Sequence, residues 1–228
     1  MRELKVLEQI QFIQNHSFNS SKRKWVDGSY ELRHKVFNDR LSWKVVSDGE
    51  REVDVFDNPK TWYAILKNDN DQVIGTWRAL PTTGDYMLRN VFPQMTRGET
   101  MPDNPDIWEI SRFAIDKTKR TIPQGRKFIC DESKALIQSF YDFSYQRDIK
   151  QLVAVTSVAA ERMMKNLNVN LRRLGDGKAV RIGSVLTTAV LIDIPQHPEQ
   201  HLSNAQDGSN VGLHMLHPKP TVPASVQL

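Results

Sequence analysis

The chain has 228 residues, a formal net charge of +4, and 39% hydrophobic and 25% charged residues, which suits a globular protein with one substantial core rather than two full domains. No run approaches the roughly 18 apolar residues of a membrane helix, and the opening "MRELKVLEQIQ" has no signal-peptide apolar core, so a membrane span is not expected. The one cysteine, Cys130, excludes an intrachain disulfide framework and fits a reducing cytoplasm, where it is expected to serve packing.

In chain order, "LKVLEQIQFI" suits a strand or a short helix, and "SFNSSKRK" reads as loop. From Ser29, a plausible N-cap, Tyr30, Leu32, Val36, Phe37 and Leu41 fall on a helical stripe. The polar, acidic stretch "KVVSDGEREVDVFDNPK" ends at Pro59 and reads as a loop. "TWYAILKN" and "QVIGTWRALPT", separated by "NDND", predict a hairpin. A proline-rich connection over 83–106, with the short apolar piece "MLRNVF", leads to a strand over 107–116. Residues 123–147 carry a helical stripe that includes Phe128, Leu136, Ile137, Phe140 and Phe143, with Pro123 suited to its first turn. "QLVAVTS" predicts a buried strand, "AERMMKNL" a helix and "VRIGSVLTTAVLIDI" a final strand region. This order of elements predicts an α/β layered domain over 1–195. The tail over 196–228 is rich in Pro, His, Ser and Asn and is expected to pack poorly. Its histidines, His197, His201, His214 and His217, fit no compact zinc pattern, so no metal site is expected.

Basic residues fall in short clusters: Lys22 to Lys24, Lys117 to Arg120, Arg126 and Lys127, Arg147 and Lys150, and Arg172 and Arg173. A solvated surface and an acidic partner both account for them. No nucleic-acid motif accompanies them, so nucleic acid is not expected as a partner.

Charges also interrupt apolar segments. Arg33 stands four residues before Phe37, Asp54 and Asp57 punctuate "EVDVFDNP", and Arg78 sits within "GTWRALPTTG". Glu109 and Arg112 sit within "WEISRFAID", where burial is costly unless the charges are paired. Strict alternation puts Glu109 and Ser111 on one face of that strand and Arg112 on the other, whereas a bulge near 110–112 would turn both charges to one cleft. Singly, each of these charges reads as a surface group or a structural ion pair. Together they suit a cationic substrate that carries both an amine and a carboxylate.

These residues resemble the acyl-homoserine-lactone synthases (LuxI-type autoinducer synthases). The resemblance runs from about Tyr30 to Ile194 and rests on "LRHKVFNDRLSWKV" with Arg33, Phe37 and Trp43, on Asp54 and Asp57, on "GTWRALPTTGDYMLRNVFP" with Arg78 and Phe92, and on Glu109, Ser111, Arg112 and Phe113. It implies a three-layer fold like that of GCN5-related N-acetyltransferases, a twisted mixed sheet with helices on both faces and a V-shaped opening between central strands. It also implies acyl transfer from acyl carrier protein to the amine of S-adenosylmethionine, a substrate rather than a cofactor, then lactonisation with release of 5′-methylthioadenosine. Arg33, Asp54, Asp57, Arg78, Glu109 and Arg112 would form the catalytic cluster, with Glu109 or a water it positions as base. Phe37, Trp43, Phe92, Ser111 and Phe113 would bind substrate, and Thr156 lies near the position where a threonine bonds a 3-oxo group. Arg147, Lys150, Arg172 and Arg173 would dock the acidic carrier. The pyrophosphate loop expected of CoA-dependent acetyltransferases is reduced to "KRTIPQGRK", with one glycine, which favours carrier protein over acyl-CoA, though some relatives use CoA. The alternatives are an acyl-CoA N-acyltransferase acting on another amine without lactonisation, and a non-catalytic acyl-carrier-binding module.

Overall fold

Near-continuous β-rich apolar runs, "WYAILK" and "VIGTWRALP", buried on both faces, build the long central hairpin of a mixed sheet, strands β2 (Trp62–Lys67) and β3 (Val73–Pro81). A computed structural model of the chain describes residues 9–16, 20–41, 43, 45–116, 118 and 129–196. The other strands are β1 (Ile10–Gln14), β4 (Ile107–Ile115), β5 (Gln151–Ser157), β6 (Leu171–Arg173), β7 (Val180–Ile182) and β8 (Val185–Asp193). The sheet order is β1-β2-β3-β4-β5-β8-β6, with β7 also on β8. Every pairing is antiparallel except β4–β5.

That parallel pairing is short. It covers only Ile107–Glu109 against Gln151–Val153, although both strands run on to Ile115 and Ser157. The two central strands therefore part beyond Glu109 and Val153, and their facing edges leave an opening in the sheet.

Helices cover both faces. On one, α3 (Asp131–Tyr145) and α4 (Val158–Asn166) bury Leu136, Phe140, Phe143 and Met164 against Trp77, Ala79, Ile110, Leu152, Ala154 and Val190. Trp77 is the centre of this layer, edge-on to Phe140 and Phe143, with its indole N–H donated to the Leu136 carbonyl and Ser139 Oγ. On the other face, α1 (Ser20–Arg33) and the π-helical turn that continues it (His34–Arg40) bury Val26, Leu32, Val36 and Phe37 against Ile13, Tyr63 and Ile65. Beside them lies a further apolar cluster, formed by Phe56, Leu80, the short helix α2 (Met87–Asn90), Met95 and Leu191. Among the described residues, no helix is long and apolar enough to cross a membrane.

Four expectations change. Helix α1 begins at Ser20, not Ser29: the polar "SSKRK" is a competent helix former on an outward face, and Ser29 is fully buried within the helix, its hydroxyl donating to the Val26 carbonyl at 2.6 Å. The described part of the long helix starts at Asp131, after Cys130, which is buried with its Sγ 3.0 Å from Ser133 Oγ; Pro123 and Phe128 lie outside the described residues. Strand β6 was not anticipated, because three residues are too short to show a period. The final strand region is a hairpin, β7 and β8, turned at Gly183 (φ 58°). The histidine-bearing tail and the "KRTIPQGRK" loop also fall outside the described residues.

Gly175, at φ 56°, holds the 83–106 connection against the turn after β6. A Cβ there would sit 2.2 Å from Arg97 Cβ and 2.6 Å from the Thr96 carbonyl oxygen. Its N–H donates to Glu99 Oε1 at 2.6 Å. Gly175→Ala is expected to cost about 2 kcal/mol or more, read as a lower urea midpoint.

Candidate active site

Arg112 answers how two charges inhabit one strand. Opposite β4, Trp77 faces both Arg112 and Phe113, because Thr76 pairs with Ala114 and Arg78 with Ser111. This is a β-bulge, with Arg112 in the left-handed region at φ 57°. A non-glycine residue there costs about 1 kcal/mol. The extra residue resets the alternation: Trp108, Ile110, Phe113 and Ile115 face α3, while Glu109, Ser111 and Arg112 all face the α1 side, where Arg78 also lies.

There the loop after the π turn brings its carboxylates to three arginines. Asp57 takes both Arg33 terminal nitrogens at 2.8 Å, one per oxygen, and Arg78 Nη1 lies 3.1 Å away. Arg78 also donates to Asp54 at 2.5 Å and to Ser111 Oγ at 3.1 Å. Arg112 donates to Asp54 at 2.8 Å and to Glu52 at 2.9 and 3.0 Å, and Arg33 Nε bonds the same Glu52. The loop supports its own acids: the Asp54 amide donates to Asp57 at 2.8 Å, and the Phe56 amide donates to Asp54 at 2.9 Å. Burial alone would raise the Asp57 carboxyl, but the Arg33 hydrogen bonds and the charges of Arg33 and Arg78 outweigh it, holding the group well below the usual carboxylate range.

Glu52 is the member that sequence reasoning missed. It is fully buried and is the one carboxylate shared by Arg33 and Arg112. Its signal was the spacing Glu52-x-Asp54-x-x-Asp57 in "EVDVFDNP", in which Val53 and Val55 point to solvent between inward acids. Solvent reaches the network at two side chains: Arg112 is 11% and Asp54 10% exposed. One nitrogen, Arg78 Nη2, is buried without a hydrogen-bond partner.

Glu109 lies apart from the carboxylate loop. Its two oxygens accept the Met87 and Leu88 amides at 2.8 and 2.7 Å, the first N–H groups of α2. Burial pushes its carboxyl up to about 7, against the opposing pull of those amides and of the Arg78 and Arg112 charges. Each oxygen keeps a second lone-pair direction. Met87 also offers Sδ to Arg112 Nη1 at 3.2 Å.

The aromatic residues divide between the two faces. Phe37 lies 5.5 Å from the Arg112 guanidinium and stacks on Trp43 at 5.3 Å, beside the ion network. Phe92 packs with Phe56, Met87 and Val153 on that same side. Phe113 lies on the opposite face, 6.2 Å from Phe140, and alternation puts Thr156 there with Leu152 and Ala154. The two residues flank the opening from β4 and β5.

The four basic residues expected to dock a partner do not form one surface. Arg147 turns inward, 3.8 Å from the Trp62 ring and 4.1 Å from Phe143, and its burial pushes the guanidinium down to about 10. Arg172 and Arg173 lie on the opposite edge strand and are neutralised by Glu99 and Glu161. Lys150 is exposed before β5. The basic residues 117, 119, 120, 126 and 127 lie outside the described residues. Among the described residues, no group of three His, Cys, Asp or Glu side chains could hold a metal ion.

A mixed sheet opened between two central strands, with helices on both faces and a charged site on one side of the opening, is the fold expected from the sequence, that of GCN5-related N-acetyltransferases. An acyl-CoA N-acyltransferase from Pseudomonas aeruginosa shares that fold at a TM-score of 0.51 and 10% identity, over 80% of this chain and 97% of its own. The family model for autoinducer synthases matches residues 17–201. An acyl-homoserine-lactone synthase of Aliivibrio fischeri is 38% identical over 168 residues, 74% of this chain and 84% of the relative. The crystal structure of the AHL synthase LasI superposes with a TM-score of 0.73 at 31% identity, over 90% of this chain and 98% of LasI. TofI, solved in a ternary complex with an inhibitor and MTA, does so at 0.69 and 25%, over 86% and 96%. The chain belongs to the autoinducer synthase family, whose curated members are acyl-homoserine-lactone synthases, and it is an acyltransferase.

Removing Glu52 leaves the buried Arg33 and Arg112 without their shared acceptor. Glu52→Ala is expected to lose about 3–5 kcal/mol of stability by denaturant titration. Because the folded-state pKa of Asp57 is depressed, its stabilisation is complete above the unfolded carboxylate range near pH ~4 and is lost as pH falls below it. Asp57→Asn is expected to flatten that acid limb in circular-dichroism titrations.

Proposed function

We propose that this chain transfers an acyl group from acyl carrier protein to the α-amine of S-adenosylmethionine and then closes the lactone, releasing 5′-methylthioadenosine. The observation that carries the reading is a site with two sides. An ion network lies on one face with Asp54 and Arg112 open to solvent, and Phe113 and Thr156 lie on the other face at the opening between β4 and β5.

A substrate with an amine, a carboxylate and a sulfonium matches the first side. Asp54 attracts the cationic groups, and Arg112 and the unpartnered Arg78 Nη2 suit the carboxylate. Phe37 and Trp43 offer aromatic faces to the sulfonium. The acyl chain runs through the opening to the α3 face, where Phe113 lines its path and Thr156 favours a 3-oxo group.

In the first step the substrate ammonium gives up a proton, to Glu109 or through a water it holds. The free amine attacks the thioester carbonyl. The tetrahedral oxyanion is met by backbone N–H groups of the strand edges left unpaired beyond Glu109 and Val153. Collapse breaks the carbon–sulfur bond while the second nitrogen proton passes to the departing sulfur, so the amide is neutral and the carrier leaves as the free thiol. In the second step a carboxylate oxygen attacks the carbon beside the sulfonium. The sulfur leaves with the bonding pair as neutral methylthioadenosine, so this ring closure needs orientation rather than an acid or a base.

The deciding assay supplies S-adenosylmethionine with a panel of acyl carrier thioesters and acyl-CoAs, and follows methylthioadenosine and lactone by mass spectrometry. Both products are expected, with carrier thioesters preferred; no methylthioadenosine from any donor overturns the reading. Glu109→Gln is expected to lower kcat about 100-fold. The wild-type rate should rise as pH passes about 7, where Glu109 ionises, and the variant should lack that limb.

A further inference from the structure

Asp57 has no acceptor position left for a substrate. Its side chain is buried, and its oxygens already accept from Arg33, Arg78, the Asp54 amide and Tyr63. What it does is aim the two arginines and the Asp54 backbone, so whatever aims Asp57 aims the site.

Tyr63 on β2 donates its hydroxyl to Asp57 Oδ1 at 2.9 Å. Asp57 is an ionised acceptor, so that bond consumes the Tyr63 proton, and the 2.9 Å bond between the Tyr63 and Tyr30 hydroxyls must run from Tyr30 to Tyr63. The result is a one-way chain, Tyr30 to Tyr63 to Asp57, whose two tyrosines and Asp57 side chain are buried. The rings hold it in place: they meet edge-on at 5.9 Å and 82°. Tyr63 is the cross-strand neighbour of Arg78, and the Arg33 guanidinium lies 5.2 Å from the Tyr30 ring. The Tyr30 carbonyl also accepts the Glu52 amide at 3.1 Å. The pair thus touches the network at Arg33, Asp57 and the Glu52 backbone without contacting the reacting groups.

We infer that Tyr63, backed by Tyr30, is a positioning residue for recognition of the amine-bearing substrate, setting the rotamer of Asp57 and through it the arrangement of Arg33, Arg78 and Asp54. The inference rests on the reading of this network as the S-adenosylmethionine site.

Tyr63→Phe keeps the ring and removes one hydrogen bond to a charged group, so the KM for S-adenosylmethionine is expected to rise about tenfold. The KM for the acyl carrier thioester is expected to stay within about twofold of wild type, as no residue on the acyl side depends on this chain. Tyr30→Phe leaves the Tyr63–Asp57 bond in place and should have a smaller effect. The double variant should be no worse than Tyr63→Phe alone, since Tyr30 acts through Tyr63. A second readout uses no substrate. Loss of the Tyr63 bond raises the folded pKa of Asp57 toward its unfolded value, so the acid-unfolding midpoint should move to higher pH in Tyr63→Phe, and Tyr63→Phe in an Asp57→Asn background should not move it. An unchanged midpoint, an unchanged S-adenosylmethionine KM, or equal rises in both substrates' KM overturns the role of Tyr63. Absence of methylthioadenosine formation by the wild type overturns the functional reading instead, and the midpoint comparison still decides the case of Tyr63.

Discussion

Three guanidinium groups and three loop carboxylates, brought out of water together, are the constraint around which the rest of this structure is arranged. Any one of them alone would be prohibitively costly to bury. Their charges balance, and nearly every donor finds an acceptor, so the cost is offset only when all are present. The network joins α1, β3, β4 and the loop after the π turn. Val46, Val53 and Val55 of the loop are exposed, and Phe56 is its buried apolar anchor. Electrostatic closure rather than hydrophobic burial therefore fixes its course.

The second constraint is the opening in the sheet. Because β4 and β5 pair over three rungs and then diverge, the charged face and the apolar face of the sheet communicate there. The bulge at Arg112 belongs to the same design. It turns Arg112 to the charged face and sends Phe113 to the α3 face, so one local backbone choice assigns adjacent residues to opposite faces of the sheet.

The hairpin, β4 and β5 were legible as compact β-rich apolar runs, and the long helix by its apolar stripe. The charges within "WEISRFAID" were legible because they interrupt such a run. Glu52 was not, since its partners come from helix and strand positions far along the chain, and locally it looks like one more acid in an acidic loop. The start of α1 was hidden because a run of Ser, Lys and Arg has adequate helix propensity but no apolar stripe to announce it. The scatter of Arg147, Arg172 and Arg173 could not be read from their sequence proximity: Arg147 finds an aromatic bed, and the other two find acids on neighbouring elements.

The ion network also has a kinetic meaning. Its contacts bridge sequence separations of 19 to 60 residues, and the whole network closes only when helix, hairpin, loop and β4 have all docked. A transition state built from local helices and the β2–β3 hairpin would lack them, so substitutions in the network should speed unfolding and leave the folding limb of a chevron nearly unmoved. A chain can thus be largely folded and still chemically silent. Closure of the network and assembly of this site are then the same event.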